Sequence, residues 1–152
     1  MELKEMIIAG LQGIVTGLSQ QADGHVIQSK IFASEGFSKL ADKYAEHAAE
    51  ERGYVDKCID RILDLGGEVK NEEKAVAPVY ADPIEWIKYD LEVSKAGLAG
   101  LAKLIEASVK DFVTFEILVA YYKDEEDDLH WGEQQLELIE KIGEQNWLIR
   151  QL

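Results

Sequence analysis

A chain of 152 residues with 47% apolar side chains is long enough to form one domain, residues 1–152, with a core that needs no disulfides, and its single cysteine, Cys58, leaves none to form within the chain. Thirty acidic against 16 basic residues give a formal charge of -14, which repels nucleic acid, and no apolar run approaches the roughly 18 residues of a membrane span. Small stapled scaffolds, nucleic-acid partners and membrane insertion are therefore excluded, and the start Met1-Glu2-Leu3-Lys4-Glu5, which lacks a basic leader, makes the cytoplasm the expected address.

Apolar residues recur at helical spacing at Ile7, Leu11, Ile14, Leu18 and Ala22, and again at Phe37, Leu40, Tyr44, Ala48, Val55, Ile59 and Ile62. These predict two helices separated near Ser34-Glu35-Gly36, the second stopped by Gly66-Gly67. The stretch from Gly66 to Pro83, which holds both prolines, reads as a long loop. Asp82 then predicts an N-cap with Pro83 at the first helical position, and Ile84, Ile87, Leu91, Leu98, Leu101 and Ile105 a third helix. A fourth is predicted from about Lys110, with Phe115, Leu118, Tyr122, Leu129, Leu136 and Ile139 on one face, and Gly143 sets off a short C-terminal helix or extension. Short joins within two helix pairs and a long connection between them predict an all-α, antiparallel four-helix bundle of two hairpins with a long crossover.

Extending each apolar stripe through its gaps brings polar side chains inward. His25 continues the first helix's stripe, Glu51 the second's with Tyr54 at i+3, Ser94 the third's, and Glu125 the fourth's with Asp128 at i+3. Carboxylates buried on two helices must be neutralised, paired or metal-bound. Glu51 and Glu125 are thus candidate ligands of a central metal, with Asp128 and His25 completing the shell. The competing reading pairs Glu51 with Arg52 or Lys95 and puts Glu125 at a wet bundle edge. His47 and His130 fall on outer faces and read as surface or interface residues, and Cys58 as a small core hydrophobe.

The segments Tyr54 to Gly67, Lys123-Asp124-Glu125-Glu126 with Trp131, and Leu136 to Trp147 resemble the bacterioferritin and Dps-like branch of the ferritin superfamily. The resemblance implies the ferritin-like form of the bundle, assembled as a homo-oligomeric cage of 12 or 24 subunits that binds iron as Fe2+, oxidises it at a di-iron site and stores it as Fe3+. It also implies a glutamate ligand on helix one, Glu-x-x-His on helix two, a glutamate on helix three and Glu-x-x-His on helix four. Leu18, Glu51 with Tyr54, Ser94, and Glu125 with Asp128 stand at those positions, so only Glu51 and Glu125 are kept. The methionine that binds haem in bacterioferritins is matched by Arg52, and no haem is expected. The intersubunit site of Dps-type proteins is incomplete too: Asp56 and Asp60 are similar to one of its halves, but Ser29, Ala41 and Ala45 stand at the partner positions. Glu46 and Glu50 are similar in position to the carboxylates that bind iron on the cavity surface.

The expected function is a cage that binds, stores and detoxifies iron with weak or altered ferroxidase activity. The alternatives are a non-catalytic structural cage subunit, its centre held by hydrogen bonds among Tyr54, Ser94, Glu125 and His25, and a small carboxylate-metal oxidoreductase similar to rubrerythrins. The lack of a Cys-x-x-Cys motif weakens the last.

Overall fold

The computed structural model describes residues 2–152 and contains five helices: α1 (Leu3–Ser34), α2 (Ser38–Asp64), α3 (Pro83–Ala107), α4 (Phe112–Ile142) and α5 (Glu144–Ile149). No strand occurs among the described residues. At about 1.5 Å per residue the four long helices run roughly 37 to 48 Å. α1 packs along α2 and α3 along α4, as two hairpins related by a long crossover.

The helix ends follow local chemistry. α1 and α2 both close with a left-handed glycine: Gly36 (φ +90°) with Phe37 N donating to Phe32 O, and Gly66 (φ +79°) with Gly67 N donating to Ile62 O. Asp82 caps α3 through a bond from Ile84 N at 2.9 Å, with Pro83 next, as its sequence predicts. α4 begins at Phe112, two residues later than the apolar spacing suggests, because Asp111 caps it by accepting from Thr114 N. Arg61 of α2 donates to the same carboxylate at 2.8 Å.

The core falls into two apolar ends. Ile7, Leu11, Val15, Leu18, Val55, Cys58, Ile62, Leu101 and Leu118 fill one. Phe32, Leu40, Tyr44, Ile84, Trp86, Ile87 and Trp147 fill the other. α5 is a separate short helix whose Trp147 is fully buried there and donates from Nε1 to Gln135 Oε1 at 3.0 Å. Between the two ends the long helices bury a polar group, His25, His47, Glu51, Ser94 and Glu125.

The crossover is pinned along α1 by two glutamines. Gln12 accepts from Lys70 N at 2.8 Å and donates to Lys70 O at 3.0 Å. Gln28 does the same to Tyr80, at 2.7 and 2.9 Å. Each side chain thus satisfies both backbone groups of one extended residue. Gln28 is fully buried, so Gln28→Leu strands the Tyr80 backbone groups and should cost about 1–3 kcal/mol. Chemical denaturation measures it, and an unchanged midpoint would mean that the clamp is dispensable.

Candidate functional site

Three helices meet at His25. Its Nδ1 lies 2.6 Å from Glu51 Oε1 on α2, and its Nε2 lies 2.8 Å from Asp90 Oδ1 on α3. Both His25 and Glu51 are buried, and Asp90 is nearly so. Burial alone lowers the His25 pKa, but Asp90 and then Glu51 overcome it and hold the imidazole well above its ordinary value. His25 is therefore a buried cation. One imidazolium shared by two anions does not neutralise both, and burial keeps Glu51 raised against the pull of His25.

On the α2–α4 side stands a second group. Glu125 is buried and its carboxyl is pushed up to about 7, by burial first and the Glu51 charge second, while Ser94 pulls the other way. Asp128, one turn on, is pushed up to about 8 by burial, Glu125 and Glu50. His47 Nε2 lies 3.2 Å from Asp128 Oδ1 without forming a hydrogen bond, and burial, His25 and Lys43 lower that ring to about 3, so it is neutral. Tyr54 hydrogen-bonds Asp124 and stacks against Tyr121, both phenols raised by burial. A narrow cleft of about 60 Å³, lined in part by Gln21, Gly24, Pro78 and Tyr89, reaches His25 and Asp90 from outside.

Residues 20–142 match the ferritin family, described as a ferritin-like domain. The chain belongs to that family. Over 155 residues, with both chains fully covered, this ferritin-like protein is 33% identical to the bacterial ferritin of Neisseria meningitidis serogroup B (strain ATCC BAA-335 / MC58). It is 35% identical to the bacterial ferritin of Pseudomonas aeruginosa over 149 residues, 96% of each chain. The bacterioferritin of Rhodobacter capsulatus is 29% identical over 147 residues, 95% of this chain and 89% of that one.

Of the residues singled out in the sequence, the ferritin-like bundle brings His25 and Glu51 into contact and places Glu125 and Asp128 beside them. Glu46 and Glu50 lie one turn apart on the exposed face of α2. Several expectations are corrected. His47 is not an outer-face residue: it is 3% exposed, because α4 packs over that side of α2 and brings Trp131 against its ring at 5.9 Å. Glu51 pairs with neither Arg52 nor Lys95, which are exposed and bind Asp23 and Glu92 instead. Tyr54 turns to Asp124 rather than to the centre. His130 is exposed as expected. Asp90 escaped the sequence reading, although it precedes Ser94 by four residues and so shares its face.

A pair of metal ions does not fit these residues. Both ring nitrogens of His25 are engaged by carboxylates, Leu18 offers no donor, and among the described residues no three His, Cys, Asp or Glu side chains converge as a ligand set.

The pH dependence follows from the shifts. Glu125 and Asp128 are raised, so the folded chain binds more protons than the unfolded one up to about pH 7 and 8, and stability falls as pH rises through that range. His25, also raised, contributes stability that is complete below its ordinary value and lost as pH climbs through the raised one. His47, lowered, acts only below roughly pH 6.5, in the opposite sense. Melting temperature should therefore fall between about pH 6.5 and 8.5. The double variant Glu125→Gln, Asp128→Asn should flatten that slope, and a parent curve that rises with pH would refute the assignment.

Proposed function

We propose that this chain is the subunit of a hollow, iron-storing homo-oligomer of 12 or 24 copies in the cytoplasm, with weak or altered ferroxidase activity. The observation that carries the reading is the His25 cation between Glu51 and Asp90. A di-iron bundle holds the charge of its core carboxylates in check with metal; here an imidazolium from the chain itself does so. Fe(II) is then cargo rather than a resident pair. A charge of -14 per subunit, repeated over a closed shell, draws cations in. Glu46 and Glu50, hard oxygen donors one turn apart, are the proposed points where Fe(III) first settles. Haem is not part of the proposal: a guanidinium does not ligate iron, and Arg52 with its partner Asp23 puts charge on that face.

The same ion pairs favour a second reading, a subunit that contributes only shell and no oxidation. Iron uptake separates the two. Light scattering should report an assembly of hundreds of kilodaltons, and a stable 17.1 kDa species would end the shell reading. Fe(II) added in air should be oxidised without a fast phase of two irons per chain, yet accumulate as Fe(III) inside the shell. Glu46→Gln with Glu50→Gln should slow that accumulation several-fold. A rapid two-iron phase would show that the centre rearranges to bind a metal pair, and no retained iron would leave only the structural role.

A further inference from the structure

We propose that a ladder of aromatic rings conducts single electrons through the bundle, carrying oxidising equivalents from the α2–α4 side out to the crossover. Trp131 of α4 lies 6.0 Å from Tyr44 of α2, ring centre to ring centre, and Tyr44 lies 5.7 Å from Trp86 of α3. Trp86 lies 5.8 Å from Tyr89 and 6.0 Å from Tyr80 of the crossover, and those two phenols are 5.3 Å apart. No step exceeds 6.0 Å, which puts each ring in or near contact with the next. Electron tunnelling falls off steeply with the gap between rings, and here no gap interrupts the line from one side of the bundle to the other.

The charges along the ladder give it a direction. Lys43 holds its ammonium 5.1 Å from the centre of the Trp131 ring and so disfavours a missing electron there. Trp86, 4% exposed, lies 5.8 Å from the His25 ring, whose charge Asp90 and Glu51 together outweigh, and that net negative group tolerates an indole cation beside it. Trp86 Nε1 has no hydrogen-bond partner, so the oxidised indole keeps its proton and stays a strong oxidant that passes the charge on. Burial, and then the Asp90 charge, hold the fully buried Tyr44 phenol well above its ordinary value; it keeps its proton and bridges the two indoles. Tyr89 and Tyr80 are half-buried at the outer end, where water takes a phenolic proton. A neutral phenoxyl is a weaker oxidant than an indole cation, so the charge runs outward and stops there.

Lys43 is three residues from Glu46 on α2, so the Trp131 end adjoins the face on which Fe(III) is proposed to settle. The choice of oxidant rests on that reading; the ladder does not. A single Fe(II) there gives one of the two electrons that cleave the O–O bond of hydrogen peroxide, and the ladder gives the other. One Fe2+, one H2O2 and one tyrosine phenol yield one Fe3+, two hydroxide ions, one phenoxyl and one proton, the phenol being that of Tyr80 or Tyr89. No hydroxyl radical is released. An external thiol then returns a hydrogen atom to the phenoxyl and becomes a thiyl radical outside the bundle.

The test oxidises the iron-free protein by pulse radiolysis with azide radicals, which attack indoles first. Indolyl absorption should decay into phenoxyl absorption at a rate independent of protein concentration. Trp86→Phe should slow that transfer many-fold, and Tyr80→Phe with Tyr89→Phe should cut the phenoxyl yield several-fold. Tyr122→Phe, whose ring packs in the other apolar end, should change neither. An unchanged phenoxyl yield in the double variant overturns the proposal, and those two half-buried positions decide it even if Trp86→Phe fails to fold. With Fe(II) and hydrogen peroxide added, hydroxylation of Trp131, read by peptide mass spectrometry, should rise several-fold in the double variant; equal oxidation in variant and parent overturns the outward path. Radiolysis needs no iron and retained iron is measured apart, so a failure of storage and a failure of the ladder are told apart.

Discussion

Burying Glu51 in the middle of a helical bundle, with Asp90 almost as deep, requires positive charge between them, and His25 supplies it from α1. The triad crosses three helices through two short contacts, so the two hairpins are tied at mid-height by charge rather than by packing alone. Loss of any one member strands the others in a low-dielectric interior, which costs far more than the intact group contributes. The arrangement also decides what the centre is able to bind, since an imidazole with both nitrogens engaged has no lone pair to offer.

The two apolar ends of the core follow from this. Leu11, Leu18 and Leu118 fill one end, Phe32, Tyr44 and Trp147 the other, and each is a packed apolar cluster. The buried ionisable side chains His25, His47, Glu51 and Glu125 are thereby gathered between the two ends. Relatives named bacterial ferritin align over 96 to 100% of the chain, so the frame is one that such sequences share.

The frame was legible because its signals are local. Period-3.6 stripes, Asp82-Pro83 and the two glycine stops state helix limits within a few residues. The inward direction of His25, Glu51 and Glu125 was legible for the same reason, since each continues a stripe. Which partner each would find was not, because pairing depends on the rotation of one helix against another. Arg52 is adjacent to Glu51 in sequence but about 100° away around the helix, so it reaches Asp23 at the surface while Glu51 meets His25. His47 misled for a related reason: its ring meets His25 of α1 at 5.8 Å and Trp131 of α4 at 5.9 Å, and a helix packed on two sides has a wider buried face than one stripe shows. Asp90 was hidden by its half-buried flank position between Ile87 and Leu91.

The glutamine clamps carry a consequence for alignment. Gln12 and Gln28 stand 16 residues apart, ~24 Å along α1, and they index the crossover at Lys70 and Tyr80 like two pegs on a ruler. α3 starts three residues after the second peg. A slip of the chain by one notch would carry Asp90 along with it, and a full helical turn is about 5.4 Å, which is farther than a hydrogen bond spans. Two neutral amides thus act as the vernier for an ionic contact elsewhere in the bundle, and the accuracy of the buried charge is set where the chain is most extended.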